Sequence, residues 1–273
     1  MARENALNIY IDGVTKDKLA ETYGEVIEAV QKGAISEQIK NKNYSGDPTT
    51  GSVEIDRFKN ATIDNLGTAR TAGKGKALVN SGKVTVNVDT DKEIVEELAK
   101  KDVKLFGLDG MAEKRKANHI KRMIAYLDRE FFATAEAEGT EVDLTAIATI
   151  QEKIEALINS VETTVNDWVD GVDRDMLVLT VKPTVYSQLL NYIDSVPNSL
   201  TGLTDNYFHG VKIYSNHRQT KDMICMIDGA VAQLVTTDEY DAEKIPLSND
   251  IALELFFSKG TKSVMADLIK FNK

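Results

Sequence analysis

Gly67-Thr-Ala-Arg-Thr-Ala-Gly73-Lys74-Gly75 is the segment whose residue types come nearest to a phosphate cradle. Such a cradle needs four residues between its glycines and a Ser or Thr after the lysine, whose hydroxyl meets Mg²⁺. Here five residues intervene and Gly75 stands where the hydroxyl belongs, so a basic loop is the better reading. Asp167, Asp170, Asp173 and Asp175 crowd Trp168 and Gly171. They lack the alternating ligand register and closing glutamate of a calcium loop, which leaves a solvated turn. His119, His209 and His217 have no partner at metal-ligand spacing and are expected at the surface or at an interface. The single cysteine, Cys225, excludes an intramolecular disulfide and lies in the apolar run Met223–Ile227, as a structural thiol would. No G-x-S-x-G motif is present, and carboxylate pairs in so acidic a chain single out nothing. No catalytic residue, metal site or cofactor is expected.

The 273 residues are 42% hydrophobic and 28% charged with four prolines, enough apolar material for one large core or two modest ones. A net charge of −10 argues against a general nucleic-acid binder, although an acidic protein can enclose nucleic acid without gripping it. The N-terminal MARENALN has no signal-peptide core, and no apolar run reaches membrane-spanning length. A cytoplasmic protein, or something assembled in that compartment, is expected.

The elements that would carry such residues fall into a distinctive order. Ser52–Phe58 alternates Val53, Ile55 and Arg57 against Glu54, Asp56 and Phe58. Lys83–Asp89 repeats the pattern with Val84, Val86 and Val88, so both ends of the stretch Tyr44–Asp89 read as half-buried strands. The middle is rich in Gly, Ala, Thr and Lys. Ordering roughly two dozen residues costs about 1–2 kcal/mol each. Offsetting that takes on the order of 1,000–2,000 Å² of apolar burial. Apart from Tyr44 and the three valines of Lys83–Asp89, the segment offers only Val53, Ile55, Phe58, Ile63, Leu66, Leu78 and Val79 as sizeable apolar groups. Either it does not order by itself, or a neighbouring molecule supplies the missing surface.

Around this arm the pattern is mostly helical at first. Lys16–Lys32 carries a narrow stripe between Gly13 and Gly33, and Gly46-Asp47-Pro48 marks a turn. Thr90-Asp91-Lys92-Glu93 fits a capping box and predicts a helix through Leu98, after which helical periodicity continues to Gly139. The longest helix is expected at about Met111–Ala137, basic in its first half. A second, acidic helix is expected at about Leu144–Val165 with Asp143 as N-cap, and the two could pair within one chain or between chains. Met176–Val181 reads as a buried strand and Pro183 opens a helix. Val211–Tyr214, Met223–Ile227 and Ala230–Val235 read as short strands, and Ile251–Phe257 with Ser263–Ile269 as a hairpin turned at Lys259-Gly260-Thr261. Strands clustered late in the chain favour an α+β fold.

Asp89–Gly107 (DTDKEIVEELAKKDVKLFG) followed by Ala112–Phe132 (AEKRKANHIKRMIAYLDREFF) resembles the major capsid proteins of tailed bacteriophages, most of all those of phages of Gram-positive bacteria. The later order is similar in pattern: a strand into Lys182-Pro183 and a helix, Phe208-His209-Gly210-Val211 into a strand, then Ile227-Asp228-Gly229-Ala230. The resemblance implies the α+β capsid fold shared with herpesviruses and encapsulins. It would place an N-terminal arm at 1–42, an extended loop at 43–90, a peripheral domain with its spine helix at 91–166 and 241–273, and an axial domain at 167–240. It also implies a structural, non-enzymatic subunit that forms pentamers and hexamers of an icosahedral head around double-stranded DNA. The expected partners are further copies of the chain, a portal and a separate scaffolding protein, since a cleavable scaffolding segment has no room here. No membrane partner is expected. Contacts between subunits are expected from the loop residues Arg57, Phe58, Leu66, Arg70, Lys74 and Lys76. The basic helix would add Lys114, Arg115 and Arg122. An encapsulin-type compartment and a cytosolic α+β enzyme stay open as alternatives.

Overall fold

A computed structural model describes residues 13–61, 63, 65–67, 82–195, 203–204, 207–245 and 250–273. The residues beyond Gly67 that carry the phosphate-cradle lookalike, with Arg70, Lys74 and Lys76, lie outside that set. The chain divides into two compact units, one drawn from Met1–Gln38, Asn87–Phe131 and Gln233–Thr261, the other from Ile39–Val86, Phe132–Ala232 and Lys262–Lys273.

The first unit is built on a three-stranded sheet. Helix α1 (Gly13–Gly33) and the short α2 (Ile35–Ile39) come first among the described residues. Strand β3 (Thr90–Leu98), the long helix α3 (Lys100–Glu138) and the strands β10 (Val231–Lys244) and β11 (Ile251–Ser263) follow. The sheet order is β10-β11-β3. Leu19, Tyr23, Val26 and Val30 of α1 share a buried core with Met123 and Leu127 of α3 and Leu253, Leu255 and Phe257 of β11. The helical stripes read from sequence are therefore the buried ones.

Three expectations fail in this unit. Thr90–Leu98 is a strand, not a capped helix: it pairs antiparallel with β11 from Thr90↔Lys259 to Leu98↔Ile251. Ile94, Glu96 and Leu98 turn inward while Glu93, Val95 and Glu97 stay exposed. A ladder along all nine residues outweighs a capping signal worth about 1 kcal/mol. Nor does a hairpin turn at Lys259-Gly260-Thr261, because β11 runs through it without a break. Gly260 is there for proximity: a Cβ on it would lie 1.8 Å from the Asn87 carbonyl oxygen. The long helix also starts earlier than expected, with its break at Gly107 (φ 75°, ψ 164°) and Gly110 inside it. No described helix is long and apolar enough to cross a membrane.

The second unit holds a seven-stranded mixed sheet ordered β4-β12-β9-β5-β8-β7-β6. Its strands are β4 (Thr140–Val142), β5 (Leu177–Val181), β6 (Leu203–Thr204), β7 (Tyr207–Phe208), β8 (Val211–Ser215), β9 (Met223–Ile227) and β12 (Ile269–Asn272). Central β5 is buried along its whole length, paired parallel to β8 and antiparallel to β9. Helices α4 (Ile150–Glu162) and α5 (Pro183–Ser195) contribute Ile154, Leu157, Val161, Val185 and Leu189 to its core. Cys225 is fully buried there, and burial pushes its thiol upward, as a packing residue requires.

The acidic helix is shorter than its periodicity suggested. Asp143 accepts hydrogen bonds from the Thr145 backbone N–H (3.0 Å) and hydroxyl (2.6 Å), closing a turn, and α4 begins only after Thr149. Ser263–Ile269 is no strand either: a 3₁₀ turn at Ala266–Leu268 separates β11 from β12.

Strands β1 (Ser52–Ile55) and β2 (Val84–Asn87) pair as a two-stranded sheet, as the alternation predicted. Val53, Ile55 and Val86 are its buried side chains. The turn before it is the one Gly46-Asp47-Pro48 announced, with the Asp47 carboxylate accepting from the Thr49 N–H at 3.0 Å.

Candidate assembly surface

The two-stranded sheet carries a loop whose base is fastened within the second unit. The Arg57 N–H donates to the Gly82 carbonyl (3.1 Å), tying the outgoing limb to the returning one. The Arg57 guanidinium then makes a bidentate pair with Asp267, Nη1 to Oδ1 at 2.7 Å and Nη2 to Oδ2 at 2.8 Å. Asn166 Nδ2 donates to the same carboxylate at 2.6 Å, and the Asn166 side-chain oxygen accepts from the Trp168 N–H at 2.8 Å. Trp168 lies under both loop cations, with its ring centroid 5.1 Å from Arg57 Cζ and 5.6 Å from Lys59 Nζ. Gly82 is needed where it stands, since a Cβ would come within 2.7 Å of the indole. Lys59 Nζ donates to Asp167 at 2.6 Å, and the Asn60 N–H donates to the Asp167 carbonyl at 2.9 Å.

Burial works to raise the Asp267 carboxyl, but the hydrogen bonds from Arg57 and Asn166 more than reverse it and hold it below its ordinary 3.8. The latch is charged and set at neutral pH. Beyond it, Phe58 is 48% exposed, and Ile63 and Leu66 are 99% and 103% exposed. A loop held at its base and apolar at the far end of its described limb has the chemistry of an arm that grips another surface.

The basic half of α3 divides into cations that meet a carboxylate among the described residues and cations that do not. Arg115 holds Glu96 of β3 through Nε at 2.9 and 2.7 Å, and Lys116 pairs with Glu25 and with Glu113. Lys114 is exposed and sits 2.9 Å from the Phe106 ring centroid, while exposed Arg122 lines a hollow with Tyr126 and Phe257. On the acidic helix, Glu162 and Glu155 share Arg174, whose Nε is 2.7 Å from Glu162 and whose Nη2 is 3.0 Å from Glu155. His209 also pairs with Glu155.

His119 departs from the expectation of a histidine at the surface or at an interface. It is 1% exposed, with Nε2 3.3 Å from Glu96 Oε2. Burial lowers its pKa from the ordinary 6.5, opposed by attraction to Glu96, and the net shift is downward. The unfolded chain therefore takes up this proton first, and stability falls as pH drops below 6.5. His119→Gln will flatten that slope, which urea unfolding at about pH 7.5 and about pH 5.5 measures.

Of the residues singled out from sequence, Arg57 and Arg115 are held within the chain, while Phe58, Leu66, Lys114 and Arg122 are exposed. The partners Asn166, Trp168 and Asp267 carry no periodic signal, and only the solitary tryptophan stands out in the composition. Among the described residues no group of three or more metal-ligating side chains occurs, and Asp167 answers Lys59 instead.

No family profile and no curated protein matches the sequence. Solved structures do resemble the chain. The capsid of cyanophage P-SCSP1u superposes with a TM-score of 0.64 at 12% identity, over 88% of each chain. A structure from Mycobacterium phage Che8 gives 0.60 at 14% identity, over 82% of this chain and 84% of that one. The virus-like particle from Pyrococcus furiosus gives 0.56 at 13% identity, over 94% of this chain and 98% of that one. Identities this low speak to fold: the chain has the mixed α and β fold of tailed-phage major capsid proteins.

Proposed function

We propose that the protein is the major capsid subunit of a tailed phage, assembling into the pentamers and hexamers of an icosahedral head that encloses double-stranded DNA. The observation that carries this is a loop latched at its base by Arg57 and Asp267 that leaves Ile63 and Leu66 wholly exposed, on a fold used by capsid shells. Leaving such groups in water is unfavourable by about 2 kcal/mol per side chain, a cost that burial against a second copy removes. Net charge −10 suits an enclosure that must not adhere to its DNA. In this reading 1–42 is an arm, 43–90 the loop, 91–166 with 241–273 the peripheral domain holding α3 as spine, and 167–240 the axial domain. Arg70, Lys74 and Lys76 belong to the gripping part of the loop, a separate scaffolding protein and a portal complete the head, and the role is structural rather than enzymatic.

The test is expression followed by negative-stain microscopy and sedimentation, with and without a scaffolding partner. Shells or capsomers are expected from the intact chain. Deleting Leu66–Lys76 will leave a folded subunit that makes none. A protein that stays a small monomer or dimer at every salt and concentration overturns the reading. An encapsulin-type compartment is the second reading, since a shell of this fold need not enclose DNA. Enzyme cargo in place of DNA inside the shells decides for it.

A further inference from the structure

Two exposed patches of this chain carry opposite charge around apolar centres. The first lies on α3 just before its break at Gly107. Leu105 is 72% and Phe106 45% exposed there, with Lys101, Lys104 and Lys114 exposed around them. None of these lysines meets a carboxylate among the described residues. The second patch is a groove of about 580 Å³ in the other unit, floored by Val172, Ile227, Met265 and Leu268. Met176, 51% exposed, lines it, and Val165, 69% exposed, flanks it through its bridge with Asp170. Asp170 and Asp173 line it as well, exposed and met by no cation among the described residues, whereas Glu162 on the same wall is held by Arg174.

We propose that the Leu105–Phe106 knob of one copy seats in the Val165–Met176 groove of the next, with Lys101 and Lys104 opposite Asp170 and Asp173. The occupant is a second copy because the same chain presents both halves, apolar against apolar and cation against anion. Such a contact is heterologous: each copy uses its knob on one neighbour and its groove on the other, which closes into a ring when the rotation allows. Charge complementarity fixes the register, since like charges brought together there are strongly repelled. The inference rests on the shell-forming role and names the contact within it.

The experiment reverses each half separately. Lys101→Glu with Lys104→Glu, and Asp170→Lys with Asp173→Lys, should each melt like the parent yet sediment as monomers where the parent assembles. Mixing the two variants should restore assembly, and only into rings of even subunit number, because the copies must alternate. One chain carrying all four changes should assemble without mixing. If either reversal assembles like the parent, the knob and groove do not meet. If both stay monomeric when mixed, and the fourfold variant does too, the groove serves another partner and the inference is equally overturned. A parent that never assembles refutes the shell role instead, so the two failures are told apart.

Discussion

Gly260→Ala will destabilise the subunit by about 3 kcal/mol, the upper part of the range for overpacking a closed site. The added Cβ would fall 1.8 Å from the Asn87 carbonyl oxygen and 3.2 Å from the Val88 Cα. These are backbone atoms, so no rotamer change relieves the clash and one strand must move off the other. Val88 lies between β2 and β3, so the displacement reaches the root of the loop as well as the β3–β11 ladder. For a protein of this size the loss corresponds to a fall in melting temperature of roughly 6–12 °C. Gly24→Ala is the control. Gly24 is exposed inside α1 with nothing within 4 Å of an added methyl, so alanine there should stabilise by about 1 kcal/mol. Calorimetry on the two variants checks both signs, and equal melting temperatures would contradict the close-approach account.

Asp267→Asn will release the loop from its base. The carboxylate receives two hydrogen bonds from Arg57 and one from Asn166, with Arg57 and Asp267 side chains 17% and 29% exposed. Removing one partner of a fully buried pair costs about 3–5 kcal/mol, and this partly exposed pair should lose about 2–3 kcal/mol. The pH dependence has a definite sign. The native pKa lies below the ordinary 3.8, so the contribution is complete above that value and disappears as pH falls through the lowered one. Urea unfolding across the acid range should show the decline in the parent and a smaller one in the variant. On the proposed capsid role, assembly should suffer more than stability does. The subunit still folds around its two cores, while an arm no longer aimed by Arg57 and Trp168 cannot present Ile63 and Leu66 in register. Shells from Asp267→Asn as regular as those of the parent would show that the latch does not aim the arm.

What local pattern can specify was readable in the residues alone. The stripe between Gly13 and Gly33, the paired strands around Val53 and Val86, and the buried runs Leu177–Val181 and Met223–Ile227 each declare themselves through period and punctuation. The poverty of apolar groups between Tyr44 and Asp89 also needed only counting. The rest depended on partners far away in sequence. Thr90–Leu98 has the composition of a helix and becomes a strand because β11 offers it a complete ladder. Gly260 looks like a turn and is a crossing point because Asn87 arrives beside it. His119 looks like a surface residue among lysines and is buried against Glu96 because α3 turns that position inward. The latch joins Arg57 to a carboxylate 210 positions away, a separation at which no pattern of neighbours carries information. Periodicity records which face of an element is buried, whereas the identity of what covers it is a property of the folded chain alone.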